Sequence, residues 1–444
     1  MEDRKFSRSN WFILLVFGLV GQIAWSVENM CFNTFVFSTI APDLDAITLM
    51  VQLSGVCATV VTLVAGTLSD KLGNRRLFIS IGYMIWGVSV AAFGFISPEL
   101  VGAIFGTTGG RAVSLALTLV IVGDCVMTTF GSAANDAAFN AWITDNTSED
   151  NRTGIEGVLS VLALVGMLIV AGGFGILSSF IDYSIIFLAL GIIISALGVL
   201  GLFKVRDRAD LSPSGRMRDI FYGFKPSVVR TNGSLYLSLV IVGIYGIACQ
   251  MFMPYLIIYM KEYLGFSDIE YSLVFGLAIV LGSAVNLYVT RLSNKLSKTP
   301  LLYIATATLV VGLIMMYFSR GISHVATLLF FGIAGFVMIS GYIFVSALVG
   351  SNLRDYTPAE SAGKLQGVRM VFSVLIPMLV GPMIGNAINK ARNIPLADAT
   401  SPDLMTTSYV PAPEIFIAAA GCAALIFAVI PLLSRSMHKE SSAK

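Results

Sequence analysis

LVIVGIYGIACQMFMPYLIIYM, residues 239 to 260, runs its whole length without a charged side chain. As a helix rising ~1.5 Å per residue it is long enough to cross ~30 Å of hydrocarbon, and it lacks the apolar/polar alternation of a barrel strand. Inside a bilayer a helix satisfies its own backbone hydrogen bonds, so the stretch reads as one membrane-spanning helix. Similar blocks recur on either side of it. Of the 444 residues, 56% are apolar and only 12% charged, and mean hydropathy is +0.84. A chain of this kind dissolves in lipid and does not fold into a water-soluble ball. The blocks predict helices near 11–41, 46–68, 77–97, 113–143, 154–181 and 183–204, then near 234–262, 268–290, 299–319, 324–352, 366–389 and 413–434.

Basic residues orient the chain. With the N-terminus in the cytoplasm, only Arg111, Lys261, Arg320, Lys390 and Arg392 of the 28 Lys and Arg fall outside, as the positive-inside rule requires. The expected location is the cell membrane, with both termini cytoplasmic. The net charge of +2 is thereby explained by insertion and gives no reason to expect nucleic acid. The first apolar block is too long for a signal peptide and contains Glu28, so it is read as a retained helix. The five cysteines lie in apolar spans without paired spacing, which predicts neither disulfides nor a metal site.

The one composition break is KVRDRADLSPSGRMRDIFYGFKPSVVR, residues 204–230. It divides the chain into an N-terminal six-helix bundle (1–204), a cytoplasmic linker (205–233) and a C-terminal six-helix bundle (234–444). The expected fold is therefore an all-α membrane protein of twelve transmembrane helices in two six-helix bundles. That layout belongs to transporters with a solute site near the membrane midplane.

Between the second and third helices lies GTLSDKLGNRR, residues 66–76. Gly66 is expected to let helices pack closely, Asp70 to pair with a base or cap a helix, and Gly73 to supply the turn. Arg75 and Arg76 hold the loop on the cytoplasmic side. The motif resembles the G-x-L-x-D-x-x-G-R-R signature of the major facilitator superfamily, with Asn74 in the turn. In the second half, RLSNKLSK (291–298) is a degraded echo.

Ionisable groups inside helices mark function, because a charge in hydrocarbon costs several kcal/mol unless it is paired, hydrated or used. At ~100° per residue, Gln22, Trp25, Asn29 and Asn33 form a stripe on helix 1 with Glu28 beside it. Helix 4 carries Asp124, Thr128, Ser132, Asn135, Asp136 and Asn140, with Asp124 near mid-depth and Asp136 near the cytoplasmic end. Softer polar groups come from the second half: Tyr245, Gln250 and Tyr255, Asn286 and Tyr288, Ser340 and Tyr342. Gln22, Trp25, Glu28, Asn29, Asp124, Gln250 and Tyr255 are the candidate solute contacts. Asp124, Asp136 and Glu28 are the candidates for cation coupling. No G-x-x-x-x-G-K-[ST] phosphate loop occurs, so ATP does not drive the process, and two histidines exclude a His-rich metal or haem site.

Three places resemble one branch of that superfamily, the glycoside-pentoside-hexuronide:cation symporters, which include the melibiose carrier and have plant sucrose carriers as relatives. They are DAAFNAWITDNTSEDNRTG (136–154), GQIAWSVENMCF (21–32) and ESAGKLQGVRMVFSVLIPMLVGPMIG (360–385). The resemblance implies that Asp136 takes the place of a cation-binding aspartate, that Glu28 lies near a sugar-binding acid, and that Arg369 is a basic group able to pair with Asp136. The branch's sodium users carry an acidic pair on helix 2, where this chain has Ala58 and Thr62. That departure favours H+ over Na+ as coupling ion, with Na+ kept as the alternative.

The expected function is secondary active transport, a proton-coupled symport of a glycoside or other small polar solute by alternating access. An exporter or lipid carrier of the same fold, and a non-transporting membrane sensor, are the alternatives. No enzyme activity and no cofactor are expected; the partners are a small-molecule solute and the lipid bilayer, and the chain is expected to act as a monomer.

Overall fold

The computed structural model describes residues 6–147, 149–207, 217–293, 298–321, 323–358, 362–396 and 408–442. Among them, twelve helices are long and apolar enough to cross a membrane. They are α1 (Arg8–Ile40), α2 (Leu44–Leu72), α3 (Arg75–Phe93), α4 (Gly110–Asn146), α5 (Glu149–Ser178) and α6 (Tyr183–Lys204), then α7 (Gly233–Tyr263), α8 (Asp268–Ser293), α9 (Lys298–Tyr317), α10 (His324–Tyr356), α11 (Leu365–Arg392) and α12 (Glu414–His438). The spans expected from hydropathy match these to within a few residues. Large apolar side chains such as Val88, Ile192, Leu277 and Leu329 are exposed on the helices, as lipid-facing positions should be. The chain forms two compact units, the described residues up to Met217 belonging to the first and those from Arg218 onward to the second.

In the first unit α3 lies against α6, α1 against α5, and α2 and α3 against α4. The α3–α6 contact is backbone on backbone. A Cβ on Gly191 would sit 2.4 Å from the Gly87 carbonyl oxygen, so only glycine fits. At one end an aromatic cluster locks α1 to α3 and α6, with Phe32 stacked on Phe93 at 4.1 Å and Phe187 edge-on at 4.8 Å. In the second unit α10 packs on α8 and α9, and α7 packs on α11. There the close approach is at Gly341, whose added Cβ would meet the Leu309 nitrogen at 2.3 Å.

Two features differ from the sequence reading. The connection after α11 carries a two-stranded antiparallel ladder, Ile394–Pro395 with Tyr409–Val410, anchored where Asn389 Oδ1 accepts the Ala412 N–H at 2.9 Å. Short π-helical turns also interrupt the membrane helices, at Glu28–Phe32 and Val36–Ile40 in α1 and at Ser132–Phe139 in α4. Each inserts a residue into the helical count and rotates the residues beyond it. Asn29 is exposed, its Nδ2 bonded back to the Trp25 carbonyl at 2.8 Å, while Glu28 and Asn33 are buried.

Of the linker, Val205 is buried and residues 208–216 lie outside the described residues. So do 294–297 of the degraded echo, 359–361 before α11, and the side chain of Tyr288.

Candidate functional site

The first unit gathers carboxylates and hydroxyls from α1, α2 and α4 in its interior. Thr128 Oγ1 donates to Glu28 Oε1 at 2.8 Å, and Ser54 Oγ donates to Asp124 Oδ2. The two hydroxyl oxygens stand 3.3 Å apart, so the four side chains form one continuous chain, Glu28–Thr128–Ser54–Asp124. All four are buried, at 8%, 1%, 3% and 2% exposure respectively. Glu28 Oε2 and Asp124 Oδ1 are also buried and have no hydrogen-bond partner among the described residues. No Lys, Arg or His of this unit forms an ion pair with either acid among the described residues.

Local sequence explains why these groups point inward. Thr48, Thr59 and Thr67 on α2 bond back to the carbonyl four residues earlier and so satisfy themselves within their own helix. Ser54 instead reaches across to α4. Placing a carboxylate in an apolar helix is tolerated only where such partners exist.

Asp136, in the π-helical part of α4, occupies a second, half-buried position. Its carboxylate faces Ser132, Asn135 and Trp25, with Asn135 Nδ2 at 3.4 Å from Oδ1. Asn135 Oδ1 in turn accepts the buried Tyr83 hydroxyl at 2.9 Å. The Trp25 ring packs on Trp86 with centroids 5.2 Å apart. Asp136 and Asp124 both lie within electrostatic reach of Glu28. Gln22, Trp25 and Asp136 are half-buried and Asn29 is exposed, whereas Glu28 and Asp124 are buried.

In the second unit the candidates stand apart. Gln250 is half-buried beside α11, where a Cβ on Gly381 would meet its Cβ at 2.5 Å. Tyr255 is fully buried and donates to the Pro382 carbonyl at 3.0 Å, so its hydroxyl is already engaged between α7 and α11. Tyr245 donates to the Tyr342 carbonyl at 3.1 Å. Arg369 is exposed on α11.

The loop motif is a fastening of the first unit. Gly73 ends α2 at φ +62°, which favours glycine, and the Asn74 carboxamide oxygen caps α3 by accepting the Leu77 N–H at 3.1 Å. Arg75 is buried and spreads its guanidinium over three partners: Asp145 through Nε at 3.1 Å, Ser69 through Nη1 at 2.6 Å, and Asp70 through Nη2. Arg76 donates its side chain to the Leu202 carbonyl and its backbone N–H to Asp207 at 3.0 Å, which ties the end of α6 to the same turn. Close packing at Gly66 is not seen: a Cβ there would meet only the Ala137 methyl of α4, at an ordinary 3.9 Å.

Ser54, Tyr83, Asp145 and Asp207 were not found from the sequence. Asp145 alone carried a signal, an acid directly after α4's last apolar turn and able to answer the paired arginines.

The profile of the Major Facilitator Superfamily matches residues 11–382. Among solved structures, a mutant of the nucleoside transporter NupG is similar at TM-score 0.67 and 12% identity, covering 95% of this chain and 99% of that one. A bacterial homolog of the human lysosomal transporter Spinster, inward-facing and occupied, is similar at TM-score 0.65 and 15% identity, covering 97% and 98%. The same protein in its unoccupied form gives TM-score 0.64. At these identities the likeness is one of fold. No curated protein gives a significant match.

Proposed function

The chain belongs to the Major Facilitator Superfamily, and on that premise we propose that it is a proton-coupled symporter of a small polar solute of glycoside type, resident in the cell membrane with both termini cytoplasmic. The observation that carries this reading is the pair of buried acids, Glu28 and Asp124, joined through hydroxyls with no cation from their own unit among the described residues. A carboxylate in such surroundings favours its neutral form, so it takes up and releases a proton as its surroundings change from dry to wet. Solute binding and protonation that favour each other are what coupling requires.

Gln22, Trp25, Asn29 and Asp136 form the accessible face on which a solute is held, amides and carboxylate answering hydroxyls and the indole packing on an apolar ring face. Nucleosides are glycosides in this chemical sense, and NupG, similar in fold, is a nucleoside transporter. The proposal includes the branch of the melibiose carrier, on the sequence resemblance of residues 21–32, 136–154 and 360–385. Among the second-unit candidates, Gln250 remains a solute contact; Tyr255 serves the packing of α7 on α11.

The test is uptake into proteoliposomes of labelled hexosides, nucleosides and a lysophospholipid, under a proton or a sodium gradient. Accumulation of a hexoside or nucleoside driven by protons and abolished by Asp124→Asn is the expected result. Accumulation driven only by sodium, or of the lipid alone, overturns it.

A further inference from the structure

The chain Glu28–Thr128–Ser54–Asp124 contains three oxygen-to-oxygen links, and each needs one hydrogen. The two hydroxyls supply two. With both acids ionised, one link is left with lone pair facing lone pair, and two bare charges are buried without a counter-ion among the described residues of their unit. With both acids protonated there is one hydrogen too many, and it falls on Glu28 Oε2 or Asp124 Oδ1, which are buried and have no acceptor. A single proton on the pair fills every link and leaves no surplus.

We propose that Glu28 and Asp124 share one proton and that Ser54 and Thr128 are the relay between them, a deepening that rests on the proton-coupled reading above. The chain has two arrangements. In one, protonated Glu28 donates to Thr128, Thr128 to Ser54, and Ser54 to ionised Asp124. In the other every hydrogen bond is reversed, with protonated Asp124 at the head and Glu28 ionised. Passing between them breaks the Glu28 O–H bond, moves the Thr128 hydrogen to Ser54 and the Ser54 hydrogen to Asp124, and leaves both hydroxyls intact. One positive charge crosses from α1 to α4 with no water required. The Thr128–Ser54 link, at 3.3 Å, is the longest and must shorten for the proton to pass.

The groups around the chain are compatible with a single proton. Asp136 lies within electrostatic reach of Glu28, and the Cys125 thiol, adjacent to that of Cys57, lies within reach of Asp124 and Glu28. A third acid nearby opposes ionisation of both members of the pair. None of these groups offers a positive charge to hold two carboxylates.

Two measurements test the relay. Infrared titration of the purified protein reads the C=O stretch of protonated carboxyls. One such band is expected at neutral pH, shifted by Glu28→Gln and also by Asp124→Asn, shifted by Thr128→Val and restored by Thr128→Ser. A band moved by only one of the two acid variants, or unmoved by both Thr128→Val and Ser54→Ala, overturns the shared proton. That result is independent of flux. In proteoliposomes, Thr128→Val and Ser54→Ala are expected to lower proton-driven accumulation by about tenfold, the equivalent of one lost hydrogen bond, while solute counterflow persists. Normal accumulation in both variants, with Asp124→Asn inactive, removes the relay and keeps the coupling. Absence of proton-driven accumulation in the wild type removes the coupling, and the infrared band still decides the pair.

Discussion

Arg75 holds three partners with one planar fork, and a lysine has a single ammonium that cannot reach Asp145, Ser69 and Asp70 together. Arg75→Lys is therefore expected to lose about 2 kcal/mol of stability, nearly as much as Arg75→Ala, because Asp145 and Ser69 are left without their donor in both. Thermal unfolding in detergent measures it; a lysine variant as stable as wild type contradicts the argument. Beyond the same turn, burial pushes the Asp207 carboxyl above its ordinary value, while the N–H groups of Arg76 and Arg75 pull partly the other way. A carboxyl with a raised folded-state value contributes most when protonated, and that contribution is lost as pH climbs past about 4 through the shifted value. Asp207→Asn keeps the oxygen that accepts from Arg76 and never ionises, so it should flatten the pH dependence of stability above that point. A profile identical to wild type would remove Asp207 from the account. That Asp70 pairs with a base was one of the two roles its place in the motif allowed, the other being a helix cap; Arg75 as the partner comes from the structure. Ser54 was not legible, since nothing in a sequence tells a serine that bonds its own helix from one that reaches a neighbour.

Hydropathy revealed the twelve helices because crossing a bilayer demands an unbroken apolar run of fixed length, whatever the tertiary packing. The register within them was less visible. Averages over a window do not register one inserted residue, so they gave no sign of the π-helical turns of α1, nor that Asn29 is exposed there and Glu28 buried. Close helix contacts were likewise hidden among 42 glycines, of which few are at backbone contact. Gly191 is one, its neighbour being the Gly87 carbonyl at 2.4 Å, whereas Gly421 on α12 has nothing within 4 Å of an added Cβ. Gly191→Val must push α3 and α6 apart, costing about 1 to 3 kcal/mol or more, and Gly421→Val should be close to neutral. The pair is compared by melting temperature at equal expression; equal loss in both would mean that the α3–α6 contact is not as tight as its geometry says.

Orientation is a property of the whole molecule, set by where its charges end up. Carrying a bare cation across a bilayer is costly, and the chain concentrates Lys and Arg in the segments assigned to the cytoplasm. The few on the other side are largely compensated. Lys261 lies 2.6 Å from Asp268, Arg392 pairs with Glu414, and Arg320 sits over the Tyr263 ring at 5.1 Å. Each pairing turns a charge that would resist translocation into a neutral or shielded group. The turn held by Arg75 and Arg76 bears exposed Lys71 and Arg76. From this distribution, Thr108 and Ser179, exposed in the turns after α3 and α5, are expected to face outward, and Ser227, exposed before α7, to face the cytoplasm. In a background with the five native cysteines replaced, Thr108→Cys and Ser179→Cys should react in intact cells with a thiol reagent that cannot cross membranes. Ser227→Cys should react only after the cells are opened. The reverse pattern would place the basic segments outside, and the charge argument for the orientation would fail with it.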